Sequence, residues 1–269
     1  MDNQYILSLE ELGFALAYCG YDDMAIGLLK EDLGDLSEEG WHLVFQTASR
    51  SLYTKGILLD LNEERINDSF VPGFKELLDA MATSERMIRG YNESEERPFI
   101  LTIHKGNGKV VYHVVANDIL HVLSIVNEEA LIQEITDFYQ PSFVSKENKM
   151  TSGISEELFN ELMEYLQVGK DPLELINKPA KSDLNSLVIE TFIQDYRSPN
   201  SRFVNLSVIE TPKDEYPLFN NICFLLLSEN QTWIVQNINP DKEQEASLII
   251  EALTEEGWLS TINAYIASL

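Results

Sequence analysis

The chain has 269 residues, enough for one large domain or two medium ones, and its 44% hydrophobic and 24% charged residues exclude wholesale disorder. Lys and Arg total 19 against 45 Asp and Glu, a net charge of −26 whose field repels phosphate backbones and anionic headgroups. Nucleic-acid binding and membrane insertion are therefore disfavoured, the latter also because no run of 18 apolar residues occurs, and a protein partner is expected.

In chain order, Ser8-Leu-Glu-Glu11 has the form of a capping box, with Leu9, Leu12 and Leu16 as an apolar stripe behind it and Gly20 as a stop. A short helix is predicted over 22–31, and a core helix over 37–55 with Trp41, Val44, Phe45, Ala48 and Leu52 on one face. Pro72 suits the first turn of a further helix over 71–82, read as running on toward Arg89. The period then changes: strands are predicted at 98–103, 110–115 and 119–126, with Lys105-Gly-Asn-Gly108 and Asn117-Asp118 as turns. Asn127 caps a helix to Tyr139. Residues 140–153, rich in Pro, Ser, Asn and Lys, break the pattern.

The order then repeats. Helices are predicted at 155–168, from Pro172, and at 182–196; strands at 202–210, 221–227 and 232–238; a helix from Asp241 with Ala246, Ile249, Ile250 and Leu253 inward; and a last helix at 257–268. The expected fold is α+β, in two similar halves. Each half has helices, a three-stranded antiparallel sheet and a closing helix, and a pseudo-twofold axis relates the two. The halves are 1–139 and 154–269, with 140–153 as linker, and they can still form one compact domain.

Chemistry-bearing patterns are sparse. His104 and His113 flank the KGNGK hairpin and, if opposed across the ladder with Asp118 nearby, would make part of a metal site; the plainer reading is two polar residues on an open hairpin face. Acidic pairs such as Glu38-Glu39 and Glu156-Glu157 fall at helix starts, where the helix dipole favours them. No phosphate loop, nucleophile elbow, zincin or dinucleotide fingerprint is present, so no catalytic residue, metal or cofactor is expected. Cys19 and Cys223 sit in apolar runs and read as buried free thiols suited to a reducing compartment. With no basic segment before an apolar stretch at the N-terminus, a cytoplasmic location is expected.

The segments GWHLVFQTASRSLYTKGILLD and VPGFKELLDAMATSERMI, with Arg50–Ile57 and Pro72–Leu78 at their centres, and the late tryptophan in QTWIVQNI resemble the EspG-type proteins of type VII (ESX) secretion. That resemblance implies a quasi-twofold α/β fold and a cytosolic chaperone that holds a small helical secreted protein soluble. It transfers no binding residue.

The expected function is therefore a non-catalytic protein-binding protein, a chaperone or accessory factor for type VII substrates. Two alternatives stand: an acidic immunity protein that neutralises a toxin, and an enzyme with a scattered site. Candidate protein contacts are the hairpin tip Lys105, Asn107 and Lys109, the segment with Tyr216, Leu218 and Phe219, and Trp258 between Gly257 and Leu259.

Overall fold

A computed structural model describes residues 4–61, 66–94, 97–172, 175, 184–212, 216–237 and 247–269. The chain begins with a strand, β1 (Tyr5–Ser8). Helices α1 (Leu9–Tyr18), α2 (Asp22–Leu33), α3 (Glu38–Thr54), α4 (Ile66–Ser69) and α5 (Phe74–Ala82) follow. Next come β2 (Arg86–Ser94), β3 (Arg97–Gly106), β4 (Lys109–Ala116), β5 (Leu120–Val126) and α6 (Glu128–Tyr139). The second run is β6 (Thr151–Ser155), α7 (Glu156–Gln167), α8 (Ser186–Tyr196), β7 (Arg202–Glu210), β8 (Leu218–Leu227), β9 (Thr232–Asn237), β10 (Ser247–Ala252) and α9 (Glu255–Ala267).

The capping box at α1 forms as its residues require: the Glu11 amide donates to Ser8 Oγ and the Ser8 amide to Glu11 Oε2. Glu11 does more than cap. It is buried, it accepts from Ser51 Oγ at 2.6 Å and Lys55 Nζ at 2.7 Å, and so it ties α1 to the end of α3. Burial pushes its carboxyl up, but the Lys55 and Ser51 donors and the Ser8 amide outweigh that and hold it below the ordinary value. Its stabilisation is present above the ordinary carboxylate range and is lost as pH falls through the lowered value. Lys55 is part-exposed, so Glu11→Ala is expected to cost about 2 kcal/mol rather than the full value of a buried pair, read as a lower urea midpoint.

Turn chemistry sets the register of the first meander. Asn107 and Gly108 have positive φ between Gly106 and Lys109, which pair with each other, so β3 and β4 are joined by a two-residue hairpin. Asn117 and Asp118 also have positive φ, in the three-residue connection between Ala116 of β4 and Leu120 of β5.

Among the described residues, all ten strands join one antiparallel sheet in the order β1-β5-β4-β3-β2-β7-β8-β9-β10-β6. Each half thus contributes five strands, not three, and the halves meet where β2 pairs with β7. Three expectations need correcting. The helix expected to continue toward Arg89 stops at Ala82, and Arg86–Ser94 becomes β2, paired on both sides. The helix expected from Asp241 is, over the described part, the strand Ser247–Ala252, inserted between β9 and β6; residues 238–246 lie outside the described residues. SLIIEA is a short apolar run, and periodicity cannot tell a buried strand from a buried helix at that length. Residues 151–155, the last three of the expected linker among them, pair with β10 at the sheet edge. Most of the helix expected from Pro172 lies outside the described residues.

One face of the sheet carries α6 and α9 on a cluster that runs through the seam: Leu101, Val204, Leu206, Cys223, Leu225 and Ile234 with Tyr139, Trp258 and Tyr265. Gly90 permits this at the centre, because a Cβ there would lie 2.3 Å from Tyr139 Oη, which donates to the carbonyl of Asn205 at 2.6 Å. The opposite face carries two separate layers. The N-terminal helices pack on Val111 and Leu123, and α7 and α8 pack on Leu226, Trp233, Val235 and Ile250. The helix α3 is core only in its second half: Ala48 and Leu52 are buried, whereas Trp41, Val44 and Phe45 are half-buried. The reason is length. At about 1.5 Å per residue, the 17-residue α3 outruns the 10-residue α1 that covers it.

Candidate functional site

Among the described residues, the two helical layers cover the outer strands of their face of the sheet, and the strands between them carry exposed side chains (Arg89, Phe219, Ile222) beside buried ones (Ser207, Ile209). The N-terminal layer stands on β1, β3, β4 and β5, and the C-terminal layer on β6, β10, β9 and the end of β8. Side chains alternate along a strand, so with Ile88 in the α6/α9 cluster, Arg89 points the other way, into the gap. Register places Arg89 opposite Ser207, and Ser207 opposite Ile222. A bulge at Val208/Ile209 then puts Phe219 opposite Ile209. The bulge is why Phe219 and Ile222, three apart, share a face.

Arg89 is exposed and makes no ion pair with a described residue, which is unusual in a chain of net charge −26. Ile222 and Phe219 are 40% and 66% exposed beside it, and Tyr216, at 90%, lies just before β8. Tyr91 and Asn205 are half-buried on the same rows. On the C-terminal side Phe203 stacks on Phe224, with ring centroids 5.5 Å apart. Aromatic and aliphatic groups around an unpaired arginine are the composition of a protein-binding hot spot.

The remaining sequence candidates lie elsewhere. Lys105 pairs with Glu128 at 2.7 Å and Lys109 pairs with Glu76, so both brace the hairpin against α6 and α5, while Asn107 is exposed at the tip. Leu218 is exposed, but its partner Glu210 places it on the opposite face from Phe219. Trp258 is 1% exposed and donates from Nε1 to Thr136 Oγ1, so it is core rather than surface; as the fourth residue of α9 it faces α6. Arg89 and Ile222 were missed, since Arg89 fell where a helix was read and Ile222 lay inside an apolar strand.

The histidines differ from the expected open hairpin face. His104 and His113 are buried, and they are not opposed: the two-residue turn pairs His113 with Thr102 and His104 with Val111. Asp118 is exposed in the β4–β5 turn. Among the described residues no group of three or more His, Cys, Asp or Glu is placed to hold a metal ion. Cys19 and Cys223 are free thiols, and burial pushes both up to about 11, which leaves neither nucleophilic at neutral pH. No helix among the described residues is long and apolar enough to cross a membrane.

The family model described as "Uncharacterised protein YfjC" matches residues 4–259. The chain belongs to this family. No curated protein matches the sequence. Among solved structures, the chain is similar to the Mycobacterium tuberculosis type VII secretion system chaperone EspG5, determined in complex with the PE25-PPE41 dimer. The TM-score is 0.62 at 10% identity, over 97% of this chain and 95% of that one. This YfjC-family chain therefore shares the EspG-type fold, a large antiparallel sheet flanked by helices.

Proposed function

We propose that this protein is a non-catalytic chaperone that holds a small helical secreted protein against the open centre of its sheet, in the cytoplasm, before export. The observation that carries the reading is the strip Arg89, Phe219 and Ile222. It lies between two helical layers, on a fold shared with a chaperone solved in complex with a protein dimer. A helix laid in that gap would be flanked by helices on both sides and would bury its apolar stripe on the strip. We read the two halves as a true duplication about an axis between β2 and β7, with 140–153 as the connection. Support comes from the strand order, in which each half runs inward from an outer strand (β1 or β6) through four meandering strands to the seam.

Affinity capture from the native host, comparing the natural chain with Arg89→Glu/Phe219→Asp, tests this reading. The natural chain is expected to recover one dominant small helical protein. The variant, which keeps the fold because both side chains are exposed, is expected to lose at least about 100-fold in affinity. Equal recovery by both, or no partner for either, would sink the proposal.

A further inference from the structure

Three buried histidines, one from each of β3, β4 and β5, form a continuous file beneath the N-terminal helices. His104 Nε2 meets Thr102 Oγ1 at 3.1 Å, Thr102 Oγ1 meets His113 Nδ1 at 2.9 Å, and His113 Nε2 meets His121 Nδ1 at 2.9 Å. The rings of His113 and His121 stack with centroids 5.1 Å apart. At the far end, beside Leu7 of β1, His121 Nε2 is buried with no hydrogen-bond partner among the described residues. A neutral imidazole has one N–H and one lone pair, and the Thr102 hydroxyl one donor and two acceptor positions, so all three contacts are made with every ring neutral, whereas each added proton puts a charge into a buried site. An added proton makes a ring with two donors and no acceptor, and a second proton places like charges side by side.

Among the described residues, the charged groups that act on the file lie at one end. Glu10 of α1 and Asp32 of α2 face His121, while His113 is faced by the other two rings. The ionisable groups of α5, which packs on β3 and β4, are already engaged: Lys75 with Asp79, Asp79 with Tyr21, and Glu76 with Lys109. Compensation for a charged ring therefore requires His121 to move out toward α1 and α2. The C-terminal half contains no histidine, and its counterpart polar network is built on Asp195.

We propose that the His104–Thr102–His113–His121 file is an acid-operated latch: proton uptake frees α1, with α2 packed on it, from β1 and β5, while the C-terminal half stays closed.

The sign follows from burial. Burial pushes His104 and His121 down to about 4, and burial with the neighbouring His121 and His104 holds His113 well below the ordinary value, whereas an opened ring titrates near 6.5. The open form binds more protons, so opening is favoured as pH falls below about 6.5 and is unaffected above it. At pH 5, one such group shifts the open-to-closed ratio by about 30-fold relative to pH 7.5. Ordinary carboxylates stay largely ionised down to about pH 5, so they contribute little in the window between.

Hydrogen exchange by mass spectrometry on the full chain, at pH 7.5, 6.5 and 5.0 with intrinsic rates corrected, tests the latch. Peptides from 9–33 are expected to lose at least about 10-fold in protection at pH 5.0, with those from 202–237 unchanged. In the unmodified protein, the NMR ring resonances of His104, His113 and His121 are expected to shift over the same pH range. In His113→Gln, whose amide keeps a donor and an acceptor but does not titrate, the acid response is expected to shrink. The latch is overturned if 9–33 keeps its protection at pH 5.0, or if both halves loosen together. It is equally overturned if the ring resonances do not follow the opening. Because the NMR and exchange arms use the natural chain, a variant that fails to fold leaves the test intact. The test also requires no partner, so it stands apart from the chaperone reading.

Discussion

Gly90→Ala is expected to destabilise the protein by about 3 kcal/mol, a large effect for one methyl group. The new Cβ would lie 2.3 Å from Tyr139 Oη and 3.2 Å from Cζ. Tyr139 has nowhere to go. It is fully buried, edge-on to Phe138 and Trp258, and pinned through its hydroxyl to the Asn205 carbonyl across the seam. The clash therefore pries α6 from the strands that join the two halves. Tyr139→Phe alone is expected to cost about 1 kcal/mol through the lost hydrogen bond. Combined with Gly90→Ala it should cost less than the sum, because removing the hydroxyl relieves the closest contact. Urea melts of the two single variants and the double variant measure this. Strict additivity would mean that Tyr139 does not carry the strain.

Asp195→Ala is expected to be the most damaging change in the C-terminal half, at about 3–5 kcal/mol. The buried carboxylate of α8 accepts from Trp233 Nε1 at 2.8 Å, Gln231 Nε2 at 2.7 Å and Asn230 Nδ2 at 3.1 Å. Three donors converge on one anion, so α8 is tied to the β8–β9 turn and the start of β9. Alanine leaves the indole and amide N–H groups buried and unpaired. Asp195→Asn keeps the shape but turns an NH2 toward the donors, and should cost about 2 kcal/mol. Thermal unfolding is the readout: at this chain length 1 kcal/mol corresponds to about 2–4 °C in Tm, so the alanine variant should fall by roughly 6–20 °C. A shift under about 2 °C would mean that water replaces the carboxylate.

The first half is the more testable for pH and the second for mutation, because each buries a different polar network under its helices. Three rings spread over β3, β4 and β5 can release a proton-dependent contact. One carboxylate held by three neutral donors has no such partner chain.

Local chemistry was legible wherever a residue acts on its own neighbours. Ser8, Ser37 and Asn127 cap α1, α3 and α6 through side chains that reach amides three residues on. Asn107-Gly108 and Asn117-Asp118 turn the first meander, because those residues tolerate positive φ. The alternation in Arg202–Glu210 and the stripe in Glu156–Gln167 also declared their elements. The family resemblance carried the fold a stage further, to an EspG-type α/β architecture.

What stayed hidden depends on partners distant in the chain. Tyr5–Ser8 is too short to announce a strand and becomes one by pairing with Leu120–Leu123. Arg86–Ser94 follows a helix and continues its apolar spacing, and only the pairing of β3 on one side and β7 on the other makes it extended. Ser247–Ala252 is a strand because β9 and β6 both offer it edges. Trp258 looked like a surface anchor beside a glycine, yet α6 covers it. Arg89 and Ile222 became a site only when the seam set them on either side of Ser207. The sequence by itself determined the acidity, which is composition alone, and the caps and turns, which rest on residues within a few positions of one another. Tertiary structure alone decided the ten-strand sheet, the buried histidine file and the open strip at its centre, since cross-strand register and helix coverage are set by contacts that the chain makes only after it folds.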